Sequence, residues 1–203
     1  MKPKRLVVGL TGGIGSGKST ALAAFERLGA ATISLDQLAK EQAKPGRDGY
    51  KAIVRKFGKG ILNNDGTIDR AVLGKLVFSN PAKRRELEKA THPTILKEMK
   101  DLIGKMNGVV IVDVPLLFEK NLQKSFDACI CISAMPRTQL TRIMRRDGLN
   151  EKDAKLRIKA QLSMAEKMKR SDVTISNDSD LKSLNDKVQS YYAGLDLICR
   201  GTN

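Results

Sequence analysis

Nine residues near the start of the chain, GGIGSGKST at positions 12–20, combine glycines with a lysine and hydroxyl side chains. They contain the spacing Gly12-x4-Gly17-Lys18-Ser19, which is typical of a phosphate-binding loop. Its glycines allow successive backbone N–H groups to point at phosphate oxygens. A lysine at this position reaches the β- and γ-phosphates, and the next hydroxyl binds magnesium. The motif predicts ATP-like binding, with Lys18 on the phosphates and Ser19 on Mg²⁺.

The residues before and after the motif argue against an incidental glycine-rich turn. A phosphate loop needs a strand before it and a helix after it. Residues 5–10 are a largely apolar run, which is typical of a buried strand. Residues 18–28 place Leu22, Phe25 and Leu28 on one helical face, and Gly29 then ends the pattern. Both conditions are met.

Further apolar runs predict the rest of the sheet. In addition to residues 5–10, we expect strands at 31–35, 109–114, 128–132 and 173–175, with helical patterns between them. Such alternation predicts an α/β fold with a parallel sheet.

Two segments are too long for simple connections. About seventy residues separate the second and third strands, and turns at Asn64-Asp65-Gly66 and Ser79-Asn80-Pro81 divide them into several short helices. We interpret this segment as an inserted helical subdomain. The segment that follows the fourth strand is helical, rich in arginine and lysine, and broken once, at Asp147-Gly148. It predicts a basic helical hairpin.

Two aspartates follow predicted strands, where the carboxyl ends of parallel strands face a ligand crevice. Asp36 could be the general base for an attacking hydroxyl, or it could cap the next helix; position alone leaves both open. Asp113 matches a strand-end aspartate that holds magnesium, although it could also be a polar residue that terminates the strand.

Each of the other candidate residues could also have a purely structural role. The apolar residues Pro115, Leu116, Leu117 and Phe118 could be core or could line a substrate pocket. His92 is the only histidine, and a structural role is favoured for it. Three arginines of the hairpin lie at helical spacing: Arg142, Arg145 and Arg146. They could form a solvent-exposed stripe on the helix, or they could close over a phosphoryl group during transfer.

The amino-acid composition limits the kinds of protein that this chain could be and the ligands that it could bind. The 203 residues predict one domain, and the net charge of +15 favours anionic ligands. No apolar run approaches the roughly 20 residues that span a bilayer. Three cysteines argue against a disulfide framework, and Cys129 with Cys131 are interpreted as buried apolar residues, so we expect a cytoplasmic protein. Low aromatic content disfavours a single-strand stacking surface, although a nucleic-acid-binding protein that senses ATP stays open.

The motifs together resemble the dephospho-coenzyme A kinase family over nearly the whole chain. The resemblance rests on LTGGIGSGKS, the aspartate followed by LAK, THPTI, VDVPLLFE, RRDGL…RI…Q and SDVTISN, and on PGRDGY…FG…IL…DGTIDR. It implies a three-layer P-loop NTPase fold with a five-stranded parallel sheet. It also implies transfer of the γ-phosphate of ATP to the ribose 3′-hydroxyl of dephospho-coenzyme A. A P-loop kinase for another acceptor is the alternative.

The resemblance also implies roles for individual residues. The helical insertion, about 44–106 with a His92-Pro93 turn, resembles the coenzyme A-binding subdomain, and the hairpin, about 137–168, resembles a lid. Ser34 and Lys40 stand where the family usually has aspartate and arginine. The implied partners are ATP and dephospho-coenzyme A, without nucleic acid or membrane; we expect a monomer, with an oligomer left open. The implied ATP contacts are Gly13, Ile14, Gly15, Ser16, Gly17, Lys18, Ser19, Thr20, Arg142 and Arg146. The implied catalytic and substrate residues are Lys18, Asp36 as base, Arg146, His92, Pro115, Leu116 and Leu117.

Overall fold

The chain divides into two compact units in the computed structural model, which describes residues 5–201. Ser34–Lys105 forms the second unit, and the residues on either side of it form the first. The first unit carries the sheet and the phosphate loop, and the second is helical.

Five strands form one sheet in the order β2-β3-β1-β4-β5. The strand β1 pairs in parallel with β3 and with β4, and β4 pairs in parallel with β5. The predicted α/β fold with a five-stranded parallel sheet is therefore confirmed. The strands are β1 (Leu6–Gly12), β2 (Ala31–Ser34), β3 (Val109–Asp113), β4 (Ala128–Ser133) and β5 (Val173–Ser176).

Nine α-helices are present within residues 5–201. The helices α2 to α5 belong to the second unit, and the others cover the sheet unit. They are α1 (Lys18–Arg27), α2 (Leu35–Gln42), α3 (Asp48–Phe57), α4 (Arg70–Phe78), α5 (Pro81–Gly104), α6 (Pro136–Asp147), α7 (Glu151–Lys159), α8 (Met164–Arg170) and α9 (Leu181–Arg200).

The strand order places a ligand crevice at the carboxyl ends of β1 and β3. After β1 the chain crosses toward β2, and after β3 it crosses the other way toward β4. Adjacent strands whose connections diverge in this manner form the switch point at which open α/β sheets bind ligands. The phosphate loop follows β1 and Asp113 ends β3, so both lie at this point.

The core of the sheet unit lies between the strands and two helices. Val8 and Ile111 of the sheet pack with Phe25 of α1 and with Leu184 and Val188 of α9, and all five are buried. Burial of this apolar surface stabilises the strands whose ends carry the site. The helix α9 was not predicted from the sequence, although the spacing of four residues between Leu184 and Val188 is a helical signal.

Three sequence predictions about local structure were wrong. His92 and Pro93 do not form a turn, because α5 continues through both. Pro93 removes only one helical hydrogen bond, and packing of α5 on α2, α3 and α4 compensates for that loss. The basic hairpin is broken twice, not once, since a second break precedes Ser163, which caps α8 by accepting a hydrogen bond from Glu166 N (3.1 Å). Finally, β2 ends at Ser34, because Leu35 already begins α2.

The three cysteines, Cys129, Cys131 and Cys199, are buried. Burial raises the pKa of Cys129 and of Cys131 to about 11. Both thiols are therefore protonated at neutral pH, and the described residues contain no cluster of His, Cys, Asp and Glu that could hold a metal. The interpretation of Cys129 and Cys131 as buried apolar residues is confirmed. Between residues 5 and 201 no helix is long and apolar enough to cross a bilayer.

Candidate active site

The backbone of the phosphate loop bends at two glycines with positive φ. Gly15 has φ of 77° and Gly17 has φ of 88°, a region that L side chains rarely adopt. Gly17 is the N-cap of α1 and has no side chain to satisfy the first N–H groups of the helix. The glycines thus turn the chain from β1 directly into a helix whose amino end is open.

Four backbone N–H groups of this loop form no hydrogen bond within the part of the chain that the structure describes. They belong to Gly15, Gly17, Lys18 and Ser19. Free N–H groups at the positive end of a helix dipole make an anion site. The loop is therefore arranged to receive a phosphate group.

Lys18 and Asp113 form an ion pair across the switch point. Both side chains are largely buried, and Asp113 lies opposite Leu10 in the register of β3 with β1. The carboxylate therefore holds the Lys18 ammonium group at the carboxyl end of β3. Ser19 lies in the first turn of α1 and is exposed. Its hydroxyl and the Asp113 carboxylate are oxygen donors, as Mg²⁺ requires.

Three side-chain amides from outside the loop bind its backbone. Gln139 Nε2 donates to Ile14 O (2.8 Å), and Ile14 N donates to Gln161 Oε1 (3.0 Å). Asn177 Nδ2 donates to Ser16 O (2.8 Å). None of these amides was assigned a role from the sequence; Gln161 and Asn177 lie in motifs shared with the family, whereas Gln139 carries no sequence signal.

The two arginines predicted to bind ATP, Arg142 and Arg146, differ in their surroundings. Arg142 is half-buried, and its Nη1 makes a weak 3.5 Å contact with Gly15 O. Arg146 is exposed and donates two hydrogen bonds to the Asp147 carboxylate (2.7 and 3.0 Å), which also accepts one from Arg157 (2.9 Å). These hydrogen bonds raise the pKa of Arg146 and lower the pKa of Asp147. Of these two arginines, Arg142 contacts the loop and Arg146 pairs with Asp147.

The segment after β3 is partly core. Leu117 and Phe118 are buried, and a Cβ atom at Gly9 would lie 2.7 Å from Leu117 Cδ1. Leu117, predicted to contact substrate, therefore packs against β1. Pro115 and Leu116 are the members of the predicted substrate wall that keep exposed surface.

A buried ion pair fixes this segment to α8. Lys167 is fully buried, and its Nζ donates to Pro115 O (2.8 Å) and pairs with Glu119 Oε1 (2.8 Å). Burial raises the pKa of Glu119, but hydrogen bonds from Lys167 and from Leu162 N outweigh it, so the pKa lies below its ordinary value of 4.5. The pair holds Pro115 in place through its carbonyl.

We expect Lys167→Met to lower the free energy of unfolding by about 3 kcal/mol, because it leaves the Glu119 carboxylate without its buried partner. The depressed pKa of Glu119 means that its contribution is present above about pH 4.5 and is lost as pH falls through its folded-state pKa. Glu119→Gln should therefore flatten the acid limb of stability. Urea unfolding between pH 3 and 7 measures both effects, and an unchanged acid limb would contradict the assignment.

The remaining predicted residues lie in the second unit. Asp36 is exposed in the first turn of α2, and Ser34 Oγ caps that helix by accepting a hydrogen bond from Gln37 N (3.4 Å). The alternative that Asp36 is the cap was wrong. His92 is half-buried within α5. A cavity of about 430 Å³ in the second unit is lined by residues that include Arg47, Pro93 and Lys97, but His92 is not part of its lining.

The sheet order, the loop at the switch point and the open helix terminus define a P-loop nucleotide-binding protein. A family model described as Dephospho-CoA kinase matches residues 6–183. The chain belongs to the dephospho-CoA kinase family.

Individual relatives are similar to this chain over most of its length. A Dephospho-CoA kinase of Geobacillus kaustophilus is 43% identical over 177 residues, which cover 85% of this chain and 88% of the relative. The solved Dephospho-CoA kinase from Campylobacter jejuni is 29% identical, with a TM-score of 0.70 and coverage of 98% and 100%. A solved Thermus thermophilus protein is 30% identical, with a TM-score of 0.82 and coverage of 95% and 98%.

Proposed function

We propose that this chain transfers the γ-phosphate of ATP to the ribose 3′-hydroxyl of dephospho-coenzyme A, which yields coenzyme A and ADP. The observation that carries the proposal is the loop with four open N–H groups beside Lys18, in a chain of this family. Phosphoryl transfer depends on positioning and on neutralisation of charge, which such a loop supplies.

The loop residues Gly13 to Thr20 are the proposed ATP site. The open N–H groups would bind phosphate oxygens, and Lys18 would exchange Asp113 for the β- and γ-phosphates. Ser19 and Asp113 are proposed to hold Mg²⁺, since one or two protein oxygens with phosphate oxygens are its usual ligands in kinases. When bound, the ion would neutralise charge on the phosphates.

Asp36 is the proposed base, and it would accept the proton of the 3′-hydroxyl as the phosphoryl group is transferred. Its carboxylate is exposed, and because Ser34 already caps α2, Asp36 is free of a capping role. His92, Pro115, Leu116 and Leu117 are the proposed substrate residues; Leu117 would act through packing, since it is buried.

An assay of ADP release tests the function directly. We expect release that depends on dephospho-coenzyme A and is far slower with nucleosides or nucleoside monophosphates. Equal rates across the panel would contradict the assignment of the acceptor.

The net charge of +15 supports anionic small molecules as ligands. We further propose that the protein acts in the cytoplasm as a monomer and does not use nucleic acid. Sedimentation tests the oligomeric state, and titration with a nucleic-acid duplex tests binding of nucleic acid.

We expect Arg146→Ala to lower turnover by about tenfold to a thousandfold, because the side chain is proposed to stabilise charge on the transferring phosphoryl group. Arg142→Ala should have a smaller effect. The Tm should hardly change, since exposed ion pairs contribute little to stability. Arg145→Ala, also exposed on α6, is the matched control. Normal turnover with a much lower Tm would mean that Arg146 is structural.

A further inference from the structure

We propose that Gln139, Gln161 and Asn177 are positioning residues that orient the peptide planes of the phosphate loop. We name the three the amide clasp. The proposal rests on the proposed function, since the loop they bind is the proposed ATP site. None of them belongs to the loop: Gln139 lies in α6, Gln161 lies between α7 and α8, and Asn177 follows β5.

In a trans peptide, the C=O of one residue and the N–H of the next residue point in opposite directions. Gln139 binds Ile14 O, and the N–H of the same peptide belongs to Gly15. Asn177 binds Ser16 O, and the N–H of that peptide belongs to Gly17. Two of the four open N–H groups are therefore directed away from the amides that hold their peptides.

The third amide fixes the peptide before these. Gln161 Oε1 accepts from Ile14 N, and the carbonyl of that peptide, Gly13 O, accepts from Ser16 N (3.0 Å). Ile14 is thus held at both its N–H and its C=O. The N–H of Ile14 needs an acceptor and its C=O needs a donor, so the roles of the two glutamines are determined.

Two members of the amide clasp are buried next to the phosphate loop. Gln139 and Asn177 are buried, at 3% and 7% exposure. A Cβ atom at Gly17 would collide with Asn177 Nδ2, and one at Gly13 would lie 2.5 Å from Gln139 Nε2. The glycines of the motif therefore leave the space that the amides occupy. Water has little access to replace a lost hydrogen bond here.

The opposite roles of the two glutamines give a sharp test. Gln139→Glu replaces a donor with a carboxylate oxygen that faces Ile14 O, whereas Gln161→Glu keeps an acceptor for Ile14 N. Both changes add the same charge beside the same residue. We expect Gln139→Glu to raise the Kd for ATP at least about tenfold more than Gln161→Glu does. Asn177→Asp should act like Gln139→Glu, and exposed Gln189→Glu on α9 is the charge control.

Calorimetric titration with ATP, and separately with dephospho-coenzyme A, measures the effect on each variant that melts cooperatively. Weakened ATP binding with retained affinity for dephospho-coenzyme A supports the clasp. Equal Kd values for ATP in Gln139→Glu and Gln161→Glu, or equal losses for both ligands, would overturn it. If Gln139→Glu does not fold, Gln139→Leu and Asn177→Asp decide by the same criteria. A wild-type chain that binds no ATP would refute the proposed function instead.

Discussion

Replacement of Lys18 by methionine should lower turnover by about a hundredfold to a thousandfold, the range for loss of one group that stabilises transition-state charge. Methionine keeps most of the side-chain volume and removes only the ammonium group. The effect should appear in kcat more than in the affinity for dephospho-coenzyme A, since the loop is the proposed ATP site. Steady-state kinetics with both substrates varied measures it.

The ion pair with Asp113 requires a control for stability. Lys18→Met leaves a largely buried carboxylate without this partner, so the free energy of unfolding should also fall. The double variant Lys18→Met with Asp113→Asn removes the charge and should recover much of the stability. Its turnover should stay low. Recovery of turnover with stability would show that Lys18 acts only by neutralising Asp113, and it would contradict the phosphate-binding role.

Replacement of Asp36 by asparagine should lower turnover by about a hundredfold to ten-thousandfold, the range for a lost general base. Asparagine keeps the size of the side chain and loses its basicity. Stability should hardly change, because Asp36 is exposed and Ser34 supplies the cap of α2. Binding of ATP should survive, since the loop is untouched.

Ser34→Ala is the matched control on the same helix. Loss of the cap should cost about 1 kcal/mol of unfolding free energy, with little loss of turnover at a temperature at which the variant is folded. The two variants thus separate the cap from the base. Turnover of Asp36→Asn equal to that of wild type would refute the assignment of Asp36 as base. A small loss would indicate that positioning outweighs proton transfer in a loose transition state.

The local parts of this protein could be predicted from the sequence alone, because their signals are short in range. The phosphate loop is a pattern of eight positions, and Gly17, which the pattern requires, has a positive φ of 88°. The strands are apolar runs, and alternation with helices requires a parallel sheet. Where local signals compete, boundaries were wrong, as at Leu35, which reads as the end of a strand but begins α2.

Tertiary structure decided the partners of the site. No sequence spacing brings Asn177 to Ser16, 161 positions away, or sets Lys18 against Asp113; the strand order does both. It also decided that Ser34 caps α2 and that α5 continues through Pro93. The physical reason is that a loop N–H can pair with any suitable acceptor and a loop C=O with any suitable donor. The residue that satisfies each group is therefore determined by packing of the whole sheet unit and leaves no periodic or local mark in the sequence.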